Sequence, residues 1–141
     1  MSFTFAHVAL NCRDLGATEA FYTRVFGFER ARRIDLGDSA IVFLRLGDVR
    51  LELFAAEGPA TQAEGDGPHG AGVVRHLALQ TDDVDAFVAR IGDAAEVTLG
   101  PLAFDDFIPG WKTVWLRDPD GVIVEVSQGY VDDPALANAG A

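Results

Sequence analysis

The chain has 141 residues, 49% of them apolar and 23% charged, which is enough hydrophobic material for one packed domain or two small fused modules. Acidic residues number 22 against 11 basic ones, and the resulting formal charge of -11 argues against a surface that holds nucleic-acid phosphates or anionic lipid. The single cysteine, Cys12, excludes an internal disulfide and fits a reducing cytoplasm, and its own reading is a small apolar residue packed near the end of the first strand. The opening MSFTF has no basic segment followed by a long apolar run, and no stretch is long enough to cross a bilayer, so neither a signal peptide nor a membrane role is expected.

In chain order, the first element is a short apolar strand, FAHVAL, interrupted by His7. Asp14 then stands where an N-cap belongs, Phe21/Val25 and Tyr22/Phe26 are pairs four apart, and Gly27 stops the predicted helix. A weaker strand is predicted at 28–36, and AIVFLRL (40–46) and VRLELFA (49–55) flank the tight-turn pair Gly47-Asp48. A Gly-, Pro- and Ala-rich stretch follows and reads as a linker over 58–73, with His69 solvated within it.

The phrase then returns. HLALQTDDVDA (76–86) aligns with HVALNCRDLGA (7–17), with His7/His76, Ala9/Ala78, Leu10/Leu79, Asp14/Asp83 and Ala17/Ala86 coinciding. After Asp83, the residues Val84, Phe87, Val88 and Ile91 fall on one helical face, and Gly92 ends it. A weaker strand at 95–102 precedes KTVWLR (112–117) and VIVEVSQ (122–128), which flank the turn DPDG. The expected organisation is a first βαβββ module at 1–57, the linker, a second βαβββ module at 74–130 and a flexible tail at 131–141. The fold class is α+β. A half of this size buries only a limited core alone, so the two curled sheets are expected side by side around a shared cavity.

Side chains alternate faces along a strand, so parity assigns each residue to a side. Helices need an apolar sheet face, which sends Val8, Leu10, Leu77 and Leu79 to the helix and His7 and His76 to the cavity. The same test sends Arg50, Glu52 and Phe54 to one face of their strand, and Glu125 and Ser127 to one face of theirs. A carboxylate among apolar neighbours is costly unless it is paired or bound to a cation, and a divalent metal satisfies all four groups at once. Pairing remains open as the alternative: a core histidine with its own hydrogen bond, Glu52 with Arg50 or Arg45, Glu125 with Arg117.

From residue 3 to 129 the sequence resembles the vicinal oxygen chelate superfamily, which includes glyoxalase I and has the glyoxalase/bleomycin resistance/dioxygenase fold. The likeness rests on FAHVAL, AFYTRVFGFE (20–29), LELF (51–54), RHLALQTDDVDAF (75–87) and DPDGVIVEV (118–126). It implies a metal held by His7, Glu52, His76 and Glu125. Ring-cleaving dioxygenases and fosfomycin enzymes of this superfamily use two His and one Glu, and methylmalonyl-CoA epimerase usually has a glutamine at the position of Glu52, so the full set is the glyoxalase I pattern. Glutathione-using glyoxalases carry an arginine four residues after the first histidine. Here that position is Asn11, with Arg13 two further on, which leaves a thiol co-substrate open.

The expected function is that of a metal-dependent isomerase or lyase of glyoxalase I type. It would take a proton next to a carbonyl of a small vicinal-oxygen substrate, by way of a metal-stabilised enediolate, with Glu125 or Glu52 as base. The donor set suits Ni, Zn, Co or Mn. Arg50, Phe54, Phe104, Phe107, Trp111 and Trp115 are the candidate substrate-binding residues, and 104–111 is a candidate lid. The alternatives are a resistance-type protein that binds a small molecule, and an Fe(II) dioxygenase using His7, His76 and Glu125. A homodimer is expected, because open curled sheets leave edges to cover.

Overall fold

Two four-stranded sheets with the same strand order make up the protein, whose computed structural model describes residues 1–136. The elements run β1 (Val8–Cys12), α1 (Leu15–Phe26), β2 (Glu29–Asp35), β3 (Ala40–Leu46), β4 (Val49–Ala55), β5 (Leu77–Gln80), α2 (Val84–Ile91), β6 (Glu96–Ala103), β7 (Lys112–Arg117) and β8 (Ile123–Gln128). The orders β1-β4-β3-β2 and β5-β8-β7-β6 repeat one mixed pattern, in which the first strand is parallel to the fourth and the other pairs are antiparallel. The fold is α+β with two βαβββ modules. Both weaker strands are present, each shifted inward or along by a residue from its sequence-based bounds. His7 and His76 each sit one residue ahead of a strand rather than within it. Of the expected tail, 131–136 is exposed and ends in a turn, and 137–141 lie outside the described residues.

The first compact unit comprises Met1–Gln62 together with Asp118–Gly121. Its core is the face that parity assigns to the helix: Leu10, Val42, Leu44, Leu51 and Leu53 are buried, as are Thr18, Tyr22 and Val25 of α1. The Asp14 carboxylate accepts from the Ala17 N–H at 3.0 Å to start the helix, and Gly27, at φ 83, ends it. The DPDG turn contributes two buried carboxylates to this unit. Tyr22 donates to Asp118 Oδ2 at 2.9 Å, Thr18 donates to Asp120 Oδ2 at 3.2 Å, and Arg13 donates to Asp120 Oδ1 through its main-chain N and its Nε. Gly121 is required here: at φ 86, an added Cβ would stand 2.2 Å from the Thr61 carbonyl oxygen.

The second unit comprises Ala63–Arg117 and the described chain from Val122. Asp83 caps α2 at Ala86 N, and the Gln128 side chain accepts from the Val84 N–H at 2.7 Å. Val84, Phe87 and Ile91 of the helix are buried, together with Val114 and Leu116 of β7 and Val124 and Val126 of β8.

Burial pushes the Cys12 thiol up to about 11, which makes it a packed side chain rather than a reactive one. Burial and the neighbouring Asp118 charge likewise hold the Tyr22 hydroxyl well above its usual range. A group whose folded pKa is raised contributes stability that is complete below its unfolded pKa and is lost as pH rises through the folded value. The unfolding free energy is therefore expected to fall as pH rises from 9.0 to about 11, and Cys12→Ala should flatten part of that slope. At neutral pH, Tyr22→Phe takes a donor from buried Asp118 and should cost roughly 1–3 kcal/mol. Urea denaturation across a pH series checks both.

Candidate metal-binding site

One histidine and one glutamate meet in each unit. His7 Nε2 lies 2.6 Å from Glu52 Oε2 in the first, and His76 Nε2 lies 3.2 Å from Glu125 Oε2 in the second. The strand registers explain both meetings. Glu52 of β4 has Ala9 of β1 opposite it on one side and Phe43 of β3 on the other, and Glu125 of β8 stands between Ala78 of β5 and Trp115 of β7. Each alanine leaves room, and the histidine two residues before it on the same face reaches across to the carboxylate. An aromatic ring backs each imidazole edge-on, Phe43 at 5.8 Å from His7 and Trp115 at 6.5 Å from His76. The Glu52 and Glu125 side chains are only 14% and 17% exposed, so each needs a positive or hydrogen-bonding partner.

The pair in the second unit is chemically incomplete. His76 Nδ1 lies 2.7 Å from the main-chain carbonyl oxygen of Asp66. A carbonyl only accepts, so Nδ1 carries the hydrogen, and in the neutral ring Nε2 is then a bare lone pair. That lone pair faces the Glu125 carboxylate, an acceptor facing an acceptor. A second proton on the ring or a cation resolves the contact. An imidazole nitrogen and a carboxylate oxygen pointed at one spot are also the donors that divalent ions of the Ni, Co, Mn and Zn group accept. The residues present therefore fit a metal, although among the described residues no group of three or more such side chains stands together.

The remaining candidates divide. Beside Glu125 lies a hollow of about 230 Å³ lined by Ala78, Leu79, Gln80, Trp111, Glu125, Ser127 and Tyr130. Phe104 lies tilted against Trp111 with ring centroids 5.0 Å apart and stands edge-on to Trp115 at 6.5 Å, and the Trp111 indole donates to Ser127 Oγ at 3.1 Å. Trp115 itself is buried, and its indole N–H has no acceptor among the described residues. Phe107 is 77% exposed and makes no described ring contact. Phe54 is half-buried on β4, opposite Asn11 and Ile41. Arg50 lines a larger hollow of about 500 Å³ with Glu29, Arg45 and Asp48, which contains neither His7 nor Glu52. Arg13 is committed to Asp120 and the Pro119 carbonyl.

Phe43, Gln80, Tyr130 and Asp66 have no counterpart among the sequence candidates. Phe43 was accessible to reasoning, since it and Glu52 are equidistant from the Gly47-Asp48 turn. Tyr130, 5.8 Å from Trp111, lies beyond the last strand, where no periodicity speaks. Asp66 belongs to the glycine-rich linker, and His69, expected to be merely solvated, lies 2.7 Å from its carboxylate.

Against known proteins, the family model of the Glyoxalase/Bleomycin resistance protein/Dioxygenase superfamily matches residues 4–126. The chain belongs to this superfamily. Among its members, a 2-epi-5-epi-valiolone epimerase of Actinomyces sp is 32% identical, over 85% of this chain and 76% of that protein. The mitochondrial methylmalonyl-CoA epimerase of Bos taurus is 29% identical, over 86% of this chain and 72% of the epimerase. The crystal structure of a glyoxalase family protein from Enterococcus faecalis superposes with a TM-score of 0.68 at 31% identity, covering 88% of this chain and 96% of that one. No helix among the described residues is long and apolar enough to cross a membrane.

Proposed function

We propose that the protein is a metal-dependent isomerase or lyase acting on a small molecule, with one divalent ion held by His7, Glu52, His76 and Glu125. The observation that carries this reading is the facing of His76 Nε2, its lone pair outward, and Glu125 Oε2 at 3.2 Å, repeated at equivalent positions by His7 and Glu52. A doubly protonated ring would resolve one such contact, but the duplication of the arrangement in both sheets favours a shared function for the donors. The two epimerases among the relatives are consistent with proton transfer as the reaction class.

When bound, a divalent ion supplies Lewis-acid polarisation of a carbonyl next to the reacting carbon. The chain's own residues do the rest. Glu125 lines the hollow of about 230 Å³, so its carboxylate would act as the base toward a substrate lying there. Trp111 and Tyr130 present an apolar wall to the body of that substrate, while Gln80 and Ser127 offer polar atoms to orient it. Among the described residues no Lys or Arg lines this hollow, which disfavours an anionic group on the part of the substrate it receives. Glu52 offers a second carboxylate, which a glyoxalase-type reaction would use and an epimerase-type reaction would not need as an acid.

Four variants test this, with a hemithioacetal of methylglyoxal as probe. Glu125→Gln keeps an oxygen donor of the same shape but is a far poorer base, and is expected to retain fold and metal while losing about 10²–10⁴-fold in turnover. His7→Ala and His76→Ala are expected to weaken metal binding itself. Glu52→Gln should be strongly impaired in a glyoxalase-type site and tolerated in an epimerase-type one. Full turnover by both glutamine variants would remove the base and overturn the reading. A homodimer belongs to the same proposal: Phe3 and Phe5, close to His7 in sequence, are 87% and 75% exposed, apolar surface that a second copy would cover. Light scattering at micromolar concentration is expected to give twice the chain mass, and the mass of one chain would contradict it.

A further inference from the structure

The two histidines are not held alike. His76 is tied through Nδ1 to Asp66, whereas His7 has Glu52 as its one described hydrogen-bonding partner, and its side chain is 38% exposed against 22% for His76. The tether comes from a stretch whose composition reads as a linker, yet the four successive carbonyls of Ala63, Glu64, Gly65 and Asp66 are all engaged. Arg117 donates to the Ala63 carbonyl through Nε and Nη2 at 3.2 and 2.9 Å, and Thr98 Oγ1 donates to the Gly65 carbonyl at 2.7 Å. The Asp66 carboxylate is gripped from two sides, by His69 Nε2 at 2.7 Å and Arg75 Nη1 at 3.2 Å. His69 beside it, with Arg75, keeps that carboxyl below the usual carboxylate range. Gly67 is buried at φ 112, and an added Cβ would stand 1.8 Å from the Arg75 carbonyl oxygen, in the peptide that leads into His76. The loop thus passes too close to the His76 backbone for any residue other than glycine.

We infer that Asp66 is a positioning residue: its main-chain carbonyl fixes His76 in the Nδ1–H form and aims the Nε2 lone pair at Glu125, with the 63–70 loop built to hold that carbonyl in place. The inference deepens the metal-site reading and rests on it for its purpose, but not for its geometry. A hydrogen bond to the far nitrogen of a metal-binding imidazole fixes ring orientation and tautomer, and loss of such a partner typically weakens metal affinity by about 10–100-fold. Here the partner is a backbone atom, which no substitution at position 66 removes. The loop's shape is therefore the element that variation can reach: Gly67 through sterics, and Asp66 through the grip on its carboxylate.

The test is nitrogen-15 histidine NMR on the metal-free protein, at a pH where the imidazoles are neutral, followed by titration with Zn(II). His76 of the wild type is expected in the Nδ1–H tautomer, while His7, whose Nε2 faces the Glu52 carboxylate acceptor, is expected in the Nε2–H form. Gly67→Ala and Asp66→Ala should shift His76 away from the Nδ1–H form toward Nε2–H, as in His7, and lower Zn(II) affinity about 10–100-fold, with the His7 signal unchanged. Asp66→Asn, which keeps a side-chain acceptor for His69, should restore part of the loss. Should Gly67→Ala fail to fold, Asp66→Ala and the wild-type tautomer still decide. His76 in the Nε2–H form in the wild type, or unaltered in Asp66→Ala, overturns the inference. A wild type with His76 in the Nδ1–H form and no Zn(II) binding would count against the metal reading while upholding the tether.

Discussion

A carboxylate set in the middle of a strand, with an alanine on one side and an aromatic ring on the other, has few means of stabilisation. Glu52 and Glu125 both occupy such positions, and the backbone around them is already paired in the sheet. Burial penalises their charge, and among the described residues each has a histidine side chain as its ion-pair partner. Replacing either glutamate by an apolar residue would make a better sheet. Their presence, twice, is the local violation of packing logic on which the proposed metal site rests.

Around that constraint the two units differ. In the second, the histidine is tethered by a main-chain carbonyl, the glutamate opens onto a hollow, and Phe104, Trp111 and Tyr130 form a connected set of rings beside it. In the first, the histidine side chain is more exposed, and a hollow of about 500 Å³ lies away from the pair, among Glu29, Arg45, Asp48 and Arg50. The buried carboxylates of the DPDG turn belong to architecture rather than chemistry. Asp118 and Asp120 are occupied by Tyr22, Thr18 and Arg13, which give the first unit a polar lock beneath its helix.

Much of this was legible in the sequence because it is local and periodic. The alternation in VRLELFA and VIVEVSQ fixed which residues share a face, and the repeat of His-x-Ala-Leu tied the two halves to one architecture. Asp14 and Asp83 announced their helices for the same reason: an N-cap is read within a single turn. The Asp66 tether was hidden, since it depends on a loop folding back to pass within contact of the Arg75–His76 peptide, and composition marks that loop only as flexible. Phe107 illustrates the opposite limit. An aromatic residue in an irregular stretch looks like a wall from sequence, but nothing in local pattern says which way a loop side chain turns, and it turns out to solvent.

The central claim is that the two histidine–glutamate pairs serve a single metal ion. Protein purified without affinity-tag metal, stripped, and titrated with Ni(II), Co(II), Mn(II) or Zn(II) gives the stoichiometry directly. One tightly bound ion per chain, lost when a histidine of either pair is replaced by alanine, is the expected result. Two ions per chain that respond independently to His7→Ala and His76→Ala, or no binding of any of the four metals, would contradict it.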